Sequence, residues 1–552
     1  MSDSGHPTSS ALPSATPTVH DEPGISSPVD ISGNQPGSDV EKSRNEKAAK
    51  ATQDNDSRST DDGVLVVDWE GPDDPQNPKN WSLKKKWAAT LIVSAFTFIS
   101  PVSSSMMAPA SEQIAREFGI TSSSVIALLT SVFVAAYAFG PLLLGPMSEL
   151  FGRSRVLQLA NMWYLAWNLG CGFAQNEGQL IAFRFLAGLG GSAPLSIGGG
   201  VLGDLFRPAE RGQAIAIYSL APLLGPVIGP TCGAWIAEKS TWRWVFWSTT
   251  IVDAFIQCLG VIFLKETFAP ILLERKAALI RKGMDPEKGQ YREVRTVFDG
   301  ADRHWKTIVT KALIRPFALF VREPIVQLLG VYMAFIYGTL YLFLTTIPAI
   351  FQGVYGQPVG IAGLHYFALG VGLTGASQIN ARMLDRIYKY FSDKNGGVGK
   401  PEYRLPSMIP GSLFLPMGLF ITGWTARADV HWIAPDIGIA LVGAGTILNF
   451  QSIQTYVIDA FTLHAASALA AVTFLRSLAG FGFPLFAPAM YNALGYGKGD
   501  TILACFAIAV GVPAPFLLWK YGERIRNASR YARRSAAAAA AEQPQHPPAK
   551  AH

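Results

Sequence analysis

Twelve stretches of about 20 mostly apolar residues, separated by polar turns, leave this chain few ways to fold. A helix rises about 1.5 Å per residue, so each stretch matches the roughly 30 Å hydrocarbon thickness of a bilayer. The first six spans fall at about 87–108, 123–144, 154–174, 178–200, 211–235 and 244–264. A second six lie near 325–350, 361–381, 405–425, 432–457, 465–490 and 500–520. Inside a bilayer every backbone amide needs an internal partner, which leaves helices or closed barrels, and apolar blocks this long specify helices. The expected fold is an all-α polytopic membrane protein with twelve transmembrane helices in two six-helix halves, a transporter-like internal repeat.

Charge supplies the orientation. The chain carries a net charge of +6, and its Lys and Arg residues fall almost wholly in alternate loops, not along one face as nucleic-acid binding needs. That bias predicts both termini on the cytoplasmic side. Residues 1–86 read as a disordered cytoplasmic tail, 87–264 as the first half, 265–324 as a cytoplasmic central loop, 325–520 as the second half, and 521–552 as a cytoplasmic tail. Within the central loop, Leu272 to Ile280 has a helical pattern suited to lying along the membrane surface. The acceptors Asn55, Asn80 and Asn527 then face inward and are expected to stay unglycosylated. Cys171, Cys232, Cys258 and Cys505 all lie in apolar spans without a CxxC pair, so neither disulfide nor metal site is expected. Gly370-Val-Gly-Leu-Thr-Gly375 matches a dinucleotide fingerprint by letters, but no strand precedes it, so it reads as helix packing and no cofactor is expected.

The turn after the second span is Gly145-Pro-Met-Ser-Glu149-Leu-Phe-Gly152-Arg153-Ser-Arg155. Glycines permit the tight turn, Glu149 supplies an anion, and Arg153 and Arg155 hold the loop on the cytoplasmic side. The fifth span reads Pro222-Leu-Leu-Gly225-Pro226-Val-Ile-Gly229-Pro230-Thr-Cys-Gly233, so glycines and prolines each form a stripe along one helix. A glycine stripe lets helix backbones approach closely, while prolines soften the helix by removing hydrogen bonds. The fourth span holds Arg184-Phe-Leu-Ala-Gly188-Leu-Gly190-Gly191, and the eleventh holds Arg476-Ser-Leu-Ala-Gly-Phe-Gly-Phe-Pro484. These stretches resemble the signature A loop, the antiporter signature C and signature B of the major facilitator superfamily, in the form seen in fungal drug:proton antiporters. The resemblance runs from about Asp68 to Trp519, with Glu149 where the usual Asp stands.

Other candidates come from the cost of polar groups in lipid. Arg184 and Arg476 lie within spans, where an Arg costs about 2.5–3.5 kcal/mol on insertion scales, so each should face a wet cavity or a partner. Asp253, mid-way along the sixth span, reads as the one acid deep in the bundle and a candidate for proton coupling beside Arg184 and Arg476; a buried, hydrogen-bonded structural Asp is the alternative. Tyr337 and Tyr341 in span seven, with Asn449 and Gln454 in span ten, form an aromatic and amide set suited to an amphiphilic substrate. The resemblance implies that spans one, four, seven and ten line the cavity, which singles out these four as substrate contacts.

The resemblance implies a proton-coupled antiporter that exports amphiphilic compounds by alternating access, with a bilayer, a small substrate and protons as partners, acting as a monomer. The expected location is the plasma membrane, with the vacuolar membrane as the alternative. Two other readings stay open: a proton-coupled importer of a nutrient or polyamine, and a non-transporting sensor or membrane enzyme. No Gly-x-Ser-x-Gly elbow or His-rich cluster supports enzyme chemistry.

Overall fold

The structure is a computed structural model, and it describes residues 59–60, 64–207, 210–283, 293–299 and 305–529. Most of the N-terminal tail expected to be disordered, and the end of the C-terminal tail, lie outside the described residues; the described part of 1–86 is structured instead, with a strand at Val64–Val67, a 3-10 turn at Pro78–Asn80 and the first long helix starting at Leu83. The chain divides into two compact units, Met1–Leu65 and Val66–His552. In the first unit, Ser59 and Thr60 pair antiparallel with Leu65 and Val64.

The second unit is helical. Ten described segments are long and apolar enough to cross a membrane, and two local features account for twelve helices. Arg153–Gly172 is a 20-residue helix whose apolar character is diluted by Gln158, Asn161 and Asn168. The 64-residue segment Ala465–Ala528 breaks at Gly495, with φ 74 and ψ 168, a backbone region essentially reserved for glycine. There the chain doubles back: Tyr491 donates its hydroxyl to Asp500 at 2.5 Å although the two are nine residues apart, a distance of about 13 Å along a continuous helix.

In chain order the long helices are α1 (Leu83–Ser105), α2 (Ser123–Phe151), α3 (Arg153–Gly172), α4 (Glu177–Leu205), α5 (Arg211–Lys239) and α6 (Arg243–Phe263). The second six are α7 (Pro324–Pro348), α8 (Tyr366–Lys394), α9 (Met408–Thr425), α10 (Ile433–Ala460), α11 (465–494) and α12 (496–528). Leu91, Leu159, Phe255, Ile262 and Val371 stay more than half exposed on outer faces, as residues against lipid tails must. Phe133, Tyr164, Phe246, Tyr332, Phe343 and Tyr456 fill the interior.

The central stretch has more structure than a loop. Ala269–Gly283 is helical, as its pattern indicates, and a second helix covers Trp305–Arg322. Phe317 of that second helix meets Phe474 of α11 edge-to-face at 5.0 Å, while Phe139 of α2 meets Phe474 at 5.7 Å. The helix is thereby seated where α2 and α11, one from each half, run side by side.

Candidate functional site

Arg153 opens α3 and gathers the ends of α2 and α4 and the start of the central stretch. Its Nη1 donates to Ser148 Oγ at 2.8 Å, its Nε lies 3.5 Å from Asp204 at the end of α4, and its guanidinium carbon sits 4.7 Å above the Phe268 ring. Its backbone N–H donates to Glu266 Oε1 at 2.9 Å, and the same oxygen accepts from the amides of Thr267 and Phe268. Glu266 thus caps the start of α3, where unpaired amides and the helix dipole favour an anion. Gly152 is required twice over: its φ is 104, and an added Cβ would lie 2.2 Å from Glu266 Oε2. Glu149 is half-exposed and 3.8 Å from Arg153, so it sits at the edge of a cluster held by Asp204 and Glu266. Gly145 accepts through its carbonyl from Ser148 at 2.6 Å, and Arg155 points outward, exposed.

A second cluster repeats this design in the other half. Arg404, just before α9, donates to Asp459 near the end of α10 at 2.9 Å and to Asp385 of α8 at 2.8 Å. Glu402 accepts from Arg526 of α12 at 3.2 Å. The two halves therefore clasp their helix ends with an Arg beside one helix start and acids from neighbouring helix ends. Beside the first cluster, a cavity of ≈ 540 Å3 lies on the rim of the first half, lined by residues including Trp81, Lys85, Lys265 and Arg275.

The α5 stripe packs as the glycine spacing requires. A Cβ on Gly225 would lie 2.6 Å from Pro101, on Gly229 2.7 Å from the Val102 carbonyl oxygen, and on Gly233 2.0 Å from the Met106 carbonyl oxygen. Gly225, Gly229 and Gly233 thus seat α5 on α1, with Pro226 and Pro230 buried beside them. Another face of α5 meets the second half. Glu238 accepts from the Gly360 amide at 2.6 Å, and Thr231 donates to the Gly363 carbonyl at 3.0 Å. Added Cβ atoms on Gly363 and Gly370 would meet Ala234 and Val227. Residues 227, 231, 234 and 238 lie three or four apart, one helix face, yet their mixed chemistry hides the stripe from a sequence reading. Gly370, from the fingerprint-like run, and Gly372, which faces the Ala440 carbonyl, are packing glycines.

At the centre, Arg184 is 1% exposed and gives Nη1 to the Ser103 carbonyl and Nη2 to those of Ser104 and Thr130. Ser103 and Ser104 stand in the last turn of α1, whose carbonyls lack helical partners, so Arg184 caps a helix end. Around it runs a hydroxyl seam absent from the sequence-level candidates. Ser100 bonds Tyr137 at 2.5 Å, Ser103 bonds Tyr164, and Ser104 reaches Tyr341 of the second half at 3.2 Å. The run of serines at 100 and 103–105 in an apolar span was its one visible trace. The Tyr337 and Tyr341 rings meet at a tilt, centroids 5.1 Å apart, and the Arg476 guanidinium lies 4.9 Å from the rings of Tyr337 and of Phe450 on α10. The structure thus unites Tyr337, Tyr341 and Arg476. Asn449 turns elsewhere, donating to the Gly445 carbonyl and accepting from Ser412 of α9. Gln454 is half-buried, while its neighbour Gln451 ties α10 to Asn380 and Ser377 of α8.

Asp253 is fully buried between α6 and α3, where Asn161 donates to it at 2.9 Å and to Gln257 at 2.9 Å. No ion pair joins it to Arg184 or Arg476 among the described residues. It is not the one deep acid, because Asp500 of α12 is 1% exposed beneath Tyr491. The span boundary at about 500 had placed that residue at a helix end; the reversal at Gly495 carries it one turn inward. Among the described residues no group of three or more His, Cys, Asp or Glu side chains could hold a metal ion.

Two six-helix halves, paired basic clasps at helix starts and a polar seam between the halves define the class, a polytopic membrane transporter. The chain belongs to the major facilitator superfamily, whose family model matches residues 93–484. An efflux pump of Penicillium aethiopicum, vrtL, is 46% identical over 467 residues, covering 85% of this chain and 91% of that protein. Efflux pump radE of Floropilus chiversii is 42% identical, covering 84% of this chain and 86% of its own length. The uncharacterized transporter C1529.01 of Schizosaccharomyces pombe is 43% identical, covering 84% and 93%. The xylose transporter XylE from E. coli, in a partially occluded inward-open conformation, matches with a TM-score of 0.59 at 15% identity over 79% of this chain and 98% of its own, a likeness of fold. Membership makes the chain a membrane transporter rather than an enzyme.

Proposed function

We propose that the chain is a proton-coupled antiporter exporting amphiphilic organic compounds across the plasma membrane by alternating access, working as a monomer with both termini cytoplasmic. The observation that carries the reading is the two-faced α5. Its glycines seat it on α1 inside the first half, while Thr231 and Glu238 bind the start of the α8 region in the second half. Those inter-half bonds lie at the end away from Arg153. With the basic end facing the cytoplasm, the halves meet on the outer side, and substrate enters the cavity from within. Relatives named efflux pumps, vrtL and radE, support the outward direction.

Asp253 is the residue we assign to the proton. It shares Asn161 with Gln257, and α3 carries Asn161 together with Arg153 at the clasp and Tyr164, bonded to Ser103 at the cavity. A proton arriving at Asp253 changes what Asn161 bonds, and α3 passes the change to both sites. Each charge moved through about 100 mV supplies about 2.3 kcal/mol, roughly a fiftyfold gradient of substrate. Asp253→Asn keeps an acceptor for Asn161 but cannot titrate. The variant should exchange substrate down its gradient at a rate near wild type, while an imposed pH gradient no longer drives accumulation. Wild-type pH-driven transport by the Asn variant would remove Asp253 from the coupling.

The reading is tested in cells expressing the chain and loaded with a panel of fluorescent amphiphiles. Faster loss than in control cells is expected, and a protonophore should erase the difference. Faster uptake instead would establish the importer reading, and export indifferent to the protonophore would end the claim of proton coupling.

A further inference from the structure

One charge at the centre of the bundle has neither a counter-charge nor a hydrogen-bond partner among the described residues. Arg153, Arg404 and Arg526 each face a carboxylate, and Arg184 is occupied by three carbonyls. Arg476 differs: among the described residues neither a hydrogen bond nor an acid reaches any of its nitrogens, and its contacts are the rings of Tyr337 and Phe450. The deep acids are engaged elsewhere, Asp253 with Asn161 and Asp500 with Tyr491. Aromatic rings bind a guanidinium through its flat face and leave the in-plane fork of N–H donors available.

We infer that the half-buried site at Arg476 binds organic anions, a carboxylate, enolate or phenolate on an aromatic scaffold, with Arg476 as the counter-ion and Tyr337 and Phe450 against the scaffold. The assignment names the substrate class of the export site and rests on that reading. In a low-dielectric cavity a cationic substrate would meet like charge, and a neutral one would leave the guanidinium uncompensated. A planar oxyanion matches the fork with two parallel, charge-assisted hydrogen bonds. The direction of export fits as well, because an anion leaving toward a positive exterior is driven outward, about fiftyfold per 100 mV.

The test is equilibrium binding to the full chain, purified in detergent, of naphthoate, naphthamide and naphthylmethylammonium and of the same three head groups on biphenyl. The acids should bind at least about tenfold tighter than the amides on both scaffolds, with the ammonium forms weakest. Arg476→Gln should erase the preference for acid over amide, chiefly by weakening acid binding, and Arg476→Lys should retain part of it. The inference falls if amide or ammonium binds as well as acid, if the Gln variant keeps the preference, or if no acid binds wild type below about 1 mM. Should the Gln variant not fold, wild-type selectivity and the Lys variant decide. Binding requires no transport, so acid selectivity without efflux would overturn the export reading alone, and efflux without acid selectivity would overturn this site alone.

Discussion

Gly229→Leu should reach the membrane and transport nothing above background. A Cβ at this position already falls 2.7 Å from the Val102 carbonyl oxygen and 3.1 Å from the Val102 Cα. Both are backbone atoms, so no side-chain rotamer relieves the contact, and three further carbons follow. Overpacking costs about 1–3 kcal/mol even where neighbours shift; here α1 and α5 must part. Because the far face of α5 carries Thr231 and Glu238, whose bonds join the halves, displacement also breaks the inter-half contact. Surface labelling with efflux measured in the same cells checks the prediction. Gly229→Ala should be intermediate, and full activity of the Leu variant would mean that this face does not pack on α1.

Arg153→Ala is the second large effect, at least about tenfold in transport rate with insertion intact. The side chain is mostly buried, and removing it leaves Asp204 facing Glu266 across an empty clasp with no cation between. Truncating one partner of a buried pair costs about 3–5 kcal/mol. Every partner of Arg153 lies in the first half or at the start of the central stretch, Glu266 and Phe268, so in this state the clasp braces that half as a rigid body. Arg153→Lys keeps charge but not the fork, and should recover less than half of the rate. Wild-type efflux at wild-type surface density for the Ala variant would separate the clasp from transport.

The gross architecture was legible because lipid imposes a coarse rule, a length of apolar helix, that residues satisfy locally. Contacts explain the polar residues inside the spans: those of α3 point inward, Asn161 to Asp253 and Asn168 to Thr249. Arg153 and the α5 glycines were visible since tight turns and close helix packing need particular residues at fixed spacing. Their partners were not. Asp204 and Glu266 come from the ends of other helices, and Val102 offers a carbonyl that any residue would offer. Tyr337, Tyr341 and Arg476 converge, whereas Asn449 shares a helix with Gln454 but turns toward α9, because helix phase alone does not say which neighbour a polar face meets. The serines of α1 escaped notice since isolated hydroxyls carry little weight in a hydropathy pattern.

The central claim, export in exchange for protons, is tested most directly with the purified wild-type chain in inside-out vesicles with an acidic lumen. The compound that leaves loaded cells is supplied outside, and both its accumulation and the lumenal pH are followed. The compound should rise in the lumen above its outside concentration while the lumen turns more alkaline, and both changes should vanish when the gradient is dissipated. Accumulation into an alkaline lumen from an acidic outside would show protons and substrate moving together, and accumulation indifferent to pH would show no coupling; either result contradicts the central claim.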